Sequence, residues 1–206
     1  MTLQNRVSPD GEIHADPMRG MFMGNRGGRF HDPHTRELAR ARWRSRAWIC
    51  CRTAFRDSHR QVMGQGYTEL FFLDEVSALA AGHRPCFECR RTEARAFQAA
   101  WARAGLSPDM PRAGGMDAVL DAERRCGRAK RVHPMAFEAL PDGAMFRSGE
   151  DVLVKNAGRL LRWGFAGYRE VRELSLSGSV DVLTPPAVVR VLGAGYRPVW
   201  HESAHT

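Results

Sequence analysis

Two cysteines two residues apart, Cys86 and Cys89, and an adjacent pair, Cys50-Cys51, are the residues of this chain best suited to chemistry. A Cys-x-x-Cys pair in a turn that precedes a helix places two soft sulfurs where they can grip one metal ion, and zinc is the usual occupant of thiolate sites. The dipole of the following helix favours the thiolate form. Five cysteines with two close pairs suit metal binding in a reducing compartment better than a disulfide framework. The upstream pair lies in a run that reads as a strand, so three or four sulfurs from Cys50, Cys51, Cys86 and Cys89 are expected to converge. Neighbours on a strand face opposite ways, so Cys50 and Cys51 reach one ion together only across a bulge.

Charge is the second signal. The 206-residue chain carries a formal net charge of +8 with 31 basic residues, of which only Lys130 and Lys155 are lysines. Arginine's planar fork pairs bidentately with phosphate. Ten arginines fall between Arg26 and Arg60 against Asp32, Glu37 and Asp57, and Arg124, Arg125, Arg128, Lys130 and Arg131 form a second run. Clusters of this kind attract a polyanion, so the backbone of DNA or RNA is the expected partner, with Arg42, Arg44, Arg46 and Arg52 as phosphate contacts. A GC-rich coding sequence is the alternative source of the arginine bias.

Weaker candidates are His31 and His34 around Asp32, read first as a surface His-Asp-Pro-His turn and second as metal ligands or a base. Asp117 and Asp121 are spaced to share a helix face, beside Glu123, and read as a solvated face before a magnesium site. His133 and Cys126 carry no pattern. Phosphate-binding loops, nucleophile elbows, His-Glu-x-x-His and dinucleotide fingerprints are all missing, so no common enzyme class is signalled. No apolar run is long enough to cross a bilayer, and MTLQNRVSPDGEIH lacks a signal-peptide core, so a cytoplasmic protein is expected.

The elements that must position these groups follow from periodicity. Residues 1–35, with Gly20, Gly24, Gly27 and Gly28 among arginines, read as an irregular arm, and Thr35 caps a short helix through about Arg44. Ala47 to Phe55 reads as a strand turning through Arg56-Asp57-Ser58 into His59 to Met63, and Tyr67 to Leu73 as another. Asp74 caps a helix ended by Gly82, and Thr92 caps a longer one with the apolar stripe Ala94, Phe97, Ala100, Trp101 and Ala104, closed by Gly105. Pro108 to Gly115 reads as a loop and Met116 to Arg125 as a helix. Beyond Leu140, DVLVKNAGRLLRW signals a hairpin, Val180 to Leu183 a strand and Ala187 to Leu192 a short helix. The expected fold is α+β: an arm (1–35), a zinc-supported strand, hairpin, helix, Cys-x-x-Cys and helix domain with a basic helical extension (36–135), and a small β-rich module (136–206).

Cys51-Arg52, the run FFLDEVSALAAG and the turn Gly82-His-Arg-Pro-Cys-x-x-Cys89 resemble the metal-binding domain of Ada-type DNA repair proteins over about residues 47–104. The resemblance implies a zinc held by thiolates, contact with the DNA backbone, and a Cys51 thiolate that accepts a methyl group from a DNA phosphotriester. The chain departs from that pattern at Phe55, which falls where the family has its second cysteine, so the ligands the resemblance implies are Cys51, Cys86 and Cys89, with Cys50, His83, His59 or a histidine of the N-terminal arm as the fourth. Three functions are therefore expected in turn: a zinc-stabilised nucleic-acid-binding protein of DNA damage handling, an enzyme on nucleic acid (a nuclease, or Cys51 as methyl acceptor), and a structural or protein-interaction module.

Overall fold

Three strands occupy the N-terminal segment where an irregular arm was expected: β1 (Gln4–Val7), β2 (Ile13–Ala15) and β3 (Phe22–Asn25). The computed structural model describes residues 2–55, 61–172 and 176–206. Ser8-Pro-Asp-Gly11 turns β1 antiparallel onto β2, as a Pro-Asp-Gly sequence favours. Gly24 is packed rather than free, since a Cβ there would lie 2.3 Å from the carbonyl oxygen of Ile49. The helix expected over 35–44 does not form. Asp32 Oδ1 accepts the backbone N–H groups of His34 and Thr35, Arg36 has φ of 62°, and Leu38 bridges back to His31.

Strand β4 (Ile49–Arg52), β5 (Leu70–Phe72) and the two-residue β6 (Arg84–Pro85) complete a six-stranded sheet in the order β2-β1-β5-β3-β4-β6. Both strands expected here are shorter than the sequence suggested, and Met63 sits buried in a turn at φ of 54°. The turn expected at 56–58, His59 and Arg60 lie outside the described residues, and residues 61–63 of the hairpin partner expected over 59–63 form no strand. The pairings β1 with β5 and β4 with β6 are parallel, which only distant segments can make.

Helix α1 (Glu75–Ala80) is short and wholly buried. Asp74 caps it in a reciprocal box with Ser77, and Gly82 at φ of 87° stops it. There the N–H of His83 donates to Ala78 O and that of Gly82 to Leu79 O, the double bond pattern that glycine's left-handed geometry allows. Helix α2 (Arg91–Arg103) begins after Arg90, one residue before Thr92, so Thr92 lies in the first turn and not at the cap. Helix α3 (Ala113–Arg124) starts earlier than expected and takes Gly114 and Gly115 into its first turn.

The small ribbon β7 (Arg125–Cys126) and β8 (Ala129–Lys130) follows. Then β9 (His133–Ala136), β10 (Met145–Ser148), β11 (Asp151–Asn156), β12 (Arg159–Gly164), β13 (Gly167–Glu170) and β14 (Ser179–Val182) form a second, antiparallel sheet in the order β13-β12-β11-β10-β14-β9. Ala157 and Gly158, both at positive φ, make the tight turn of the β11–β12 hairpin. Helix α4 (Pro186–Gly193) packs on α2 and α3 through Val188, Val191 and Leu192. The result is a mixed α+β protein in which α1 serves three cores at once. Ala78 and Ala81 face the first sheet, Val76 and Ala80 the second, and Leu79 the helices. Among the described residues, no helix is long and apolar enough to cross a membrane.

Candidate metal centre and basic cavity

Backbone pairing, more than sequence proximity, assembles the thiols. The stop at Gly82 turns the chain so that β6 lies parallel to β4, and the Cys86 N–H donates to Cys50 O at 3.0 Å. The Sγ atoms of Cys51, Cys86 and Cys89 then all lie within 4.8 Å of one another, each residue buried. Tetrahedral coordination with Zn–S near 2.3 Å would set sulfurs about 3.8 Å apart, so this trio needs little adjustment to hold an ion. Backbone N–H groups of Glu88 and Arg52 point at Cys86 Sγ and Cys89 Sγ, each at 3.4 Å, and favour thiolates. Hydrogen bonds among the three sulfurs draw the Cys86 thiol well down and push Cys51 up, so the cluster gives up its first proton readily and resists losing the last. A divalent cation would take the place of those shared protons.

Two buried arginines clamp the turn. Arg84 forks onto Asp117 with two bonds of 2.8 Å, and Arg90 binds Glu75 at 2.8 Å. The same carboxylate of Glu75 accepts from Tyr196 Oη at 2.6 Å and Val199 N at 2.9 Å. The Cys pair is therefore fixed from both ends by the helical core.

Of the fourth ligands suggested by the sequence, His59 lies outside the described residues and the others go elsewhere. Cys50 points to the opposite face of β4, into the core of the first sheet, where Arg90 Nη1 donates to its sulfur at 3.4 Å. Burial pushes its thiol up, and it does not join the trio. His83 is buried between Phe72 and Trp48, and its Nε2 accepts from Arg26 at 3.4 Å. His31 bonds Thr68 and Gly64, while His34 lies in an exposed turn. Among the described residues the only group of this kind is the trio itself. All three cysteines line a cavity of about 370 Å³ that also presents Arg52, Phe55, Tyr67, Glu69 and Glu88. The proposed magnesium face is not assembled, since Asp117 is spent on Arg84 and Asp121 on Arg124 and Arg125. His133 Nε2 donates to the carbonyl of Glu123 at 2.7 Å, and Cys126 is exposed.

Of the four arginines expected at phosphates, Arg42 and Arg46 lie beside the second basic run, Arg46 through the Asp121 that also holds Arg124 and Arg125. Arg42 lines a second cavity, of about 290 Å³. Arg44 is exposed, with Nε on Arg29 O at 2.7 Å, and Arg46 is exposed with its Nε 3.8 Å from Asp121. Arg52 belongs instead to the thiol cavity and reaches Glu93 at 4.0 Å. The second basic run folds back onto the first: Arg128 bonds Arg40 O at 2.9 Å, Arg125 lies 4.6 Å over the Trp43 ring, and Arg124 bonds Arg46 O at 2.9 Å. Arg26 and Lys130 from the two runs line this second cavity together with Trp43 and Trp48, which sequence reasoning missed. The density of arginine in both runs was the available signal, but only the fold joins them. No family model matches the chain, and neither a curated protein nor a solved structure does.

Proposed function

We propose that the protein is a zinc-stabilised nucleic-acid-binding protein that grips the phosphate backbone with the face formed by its two arginine-rich segments. The observation that carries this reading is their convergence. Arg40, Arg42 and Trp43 from one segment meet Arg125 and Arg128 from the other, more than eighty residues away. A face that neutralises several phosphates releases their counterions, so affinity should fall steeply with salt and depend little on sequence. The Cys51, Cys86 and Cys89 trio would hold the zinc as soft thiolate donors. Fluorescence anisotropy with labelled single- and double-stranded DNA and RNA tests the reading. Binding at low salt, lost progressively as salt rises and weakened for every sequence by Arg44→Glu with Arg46→Glu, is the expected result. Absence of binding to all of them at low salt would sink it, leaving a zinc-supported interaction module.

A second reading is favoured by the cavity against the sulfurs. Three protein ligands and an adjoining cavity match the pattern of metal sites that keep one position open for chemistry. In that case the protein acts on nucleic acid, through a metal-activated nucleophile or through Cys51 as methyl acceptor. Turnover of an oligonucleotide, or a methyl-sized mass gain on Cys51 after incubation with methylated DNA, separates it from simple binding.

A further inference from the structure

The 290 Å³ cavity between the two basic segments is built differently from an ordinary charged surface. Six cations line it, Arg26, Arg42, Arg124, Arg125, Arg128 and Lys130, against two carboxylates, Asp10 and Glu12. Asp10 is already bound to Arg147 at 3.0 Å, and Glu12 is exposed. Arg26 and Arg124 are each only 2% exposed, and both guanidiniums lie 3.9 Å from the centre of the Trp48 ring. Arg26 makes no ion pair among the described residues; its bonds go to Gly11 O at 2.8 Å and to neutral His83. Arg124 keeps a buried Nε with no hydrogen-bond partner, although Asp121 holds its other end. The Lys130 ammonium rests on the carbonyl of Ala80, and Arg128 on that of Arg40.

Burying cations without counter-charges is costly, and proteins normally pair them. Here the carbonyls and the tryptophan ring solvate the cations, and Asp121 is shared by Arg124 and Arg125, so among the described residues the carboxylates supply less negative charge than the six cations carry. Burial and neighbouring arginines accordingly hold Arg26 down to about 9 and Lys130 down to about 7. An anion seated among them would relieve both.

We propose that this cavity binds a phosphomonoester dianion. Guanidinium forks match phosphate oxygens in pairs, and a monoester presents three free oxygens and about two negative charges. A phosphodiester brings one charge, and its chain must enter and leave, which a concave site of this size does not favour. The volume lies at the lower end of small-ligand pockets, room for a phosphate and part of what it is attached to. Two sources share this chemistry, a free nucleotide and the phosphorylated end of a strand. The cavity stands on its own geometry, while its assignment to a strand end rests on the nucleic-acid reading above.

The test uses the full chain, its tryptophan fluorescence and its melting temperature, titrated with inorganic phosphate, a nucleoside, a nucleoside monophosphate, and oligonucleotides with phosphorylated or hydroxyl ends. Saturable stabilisation by phosphate and by the monophosphate, but not by the nucleoside, is expected. Lys130→Gln and the exposed Arg128→Gln, each confirmed folded by circular dichroism, should weaken it by about tenfold or more, as expected for loss of a charge-assisted contact. A phosphorylated oligonucleotide that outbinds its hydroxyl-ended twin, with the margin erased by phosphate, identifies a strand end; equal binding of the two identifies the free nucleotide. Failure of both phosphate and monophosphate to bind overturns the cavity assignment, even if oligonucleotides still bind through the surrounding arginines. Phosphate binding without oligonucleotide binding upholds the cavity and removes the backbone reading instead.

Discussion

Cys50 and Cys51 differ by one step along β4, and that step sends one thiol into the core of the first sheet and the other to the trio with Cys86 and Cys89. Mutation at Cys50 and mutation at a member of the trio should therefore differ in their effect on the metal. An ion held by the trio would join β4 to the turn before α2, so removing a ligand would remove both metal and fold stability. Cys89→Ser should lose bound zinc, measured by elemental analysis, and shift the urea midpoint substantially. Cys50→Ala should keep a full equivalent of zinc and lose stability only by about 1–2 kcal/mol, the scale of a small buried truncation that also leaves Arg90 Nη1 one contact short. Loss of zinc from Cys50→Ala would place a sulfur in the site that the geometry keeps out of it.

Helix α1 is six residues long, too short to hold itself together, and its ends do the work. Asp74 accepts Ser77 N through Oδ1, and through Oδ2 accepts Tyr168 Oη at 2.8 Å from β13 and His201 N at 3.1 Å from the C-terminal segment. Glu75 ties the same end to Arg90 and Tyr196. Asp74→Ala strips the cap and orphans two buried donors, so it should cost roughly 3 kcal/mol or more by chemical denaturation. Asp74→Asn, which retains an acceptor for the cap, should cost distinctly less; equal losses would mean that the cap is unimportant. This element was legible in the sequence: Asp74, Ser77 and Gly82 are local signals, as are Ala157-Gly158 in the β11–β12 hairpin and the Cys86-x-x-Cys89 turn. The strands of the first twenty-five residues were not. Their glycines suggest freedom, whereas Gly24 is there because a neighbouring carbonyl leaves no space. The expected helix after Thr35 failed for a related reason, since Leu38 and Trp43 are too few and too far apart to form an apolar stripe and Asp32 offers the backbone a turn instead. Cys51 was found by its resemblance and Cys50 was misplaced beside it, because face assignment needs the partner strand.

At the scale of the whole molecule, distant segments bring the cations together, and their repulsion should be written into stability as well as into binding. Arg26 comes from the loop after β3, Arg124 from the end of α3 and Lys130 from β8, and none of the three is adjacent in sequence to another. Burial lowers each of them in the folded protein: Lys130 to about 7, Arg26 to about 9 and Arg124 to about 10. In the unfolded chain they return to their ordinary, higher values. Between about pH 7 and 9 the unfolded state therefore binds more protons at Lys130 than the folded state does, and stability contributed by this group rises with pH. Below about pH 7 both states hold the proton, and the folded protein carries the full cost of burying that charge, with the repulsion of Arg26 and Arg124 added to it. In phosphate-free buffer, urea midpoints of the wild type relative to Lys130→Gln should rise across that interval, with the variant the more stable of the two on the acid side. Added phosphate should shrink the difference, because an anion that binds only the folded state stabilises it by mass action and holds the Lys130 proton in place. Parallel midpoints for the two proteins at every pH would mean that water or a rearranged side chain already neutralises the cavity, and the case for an anion there would go with it.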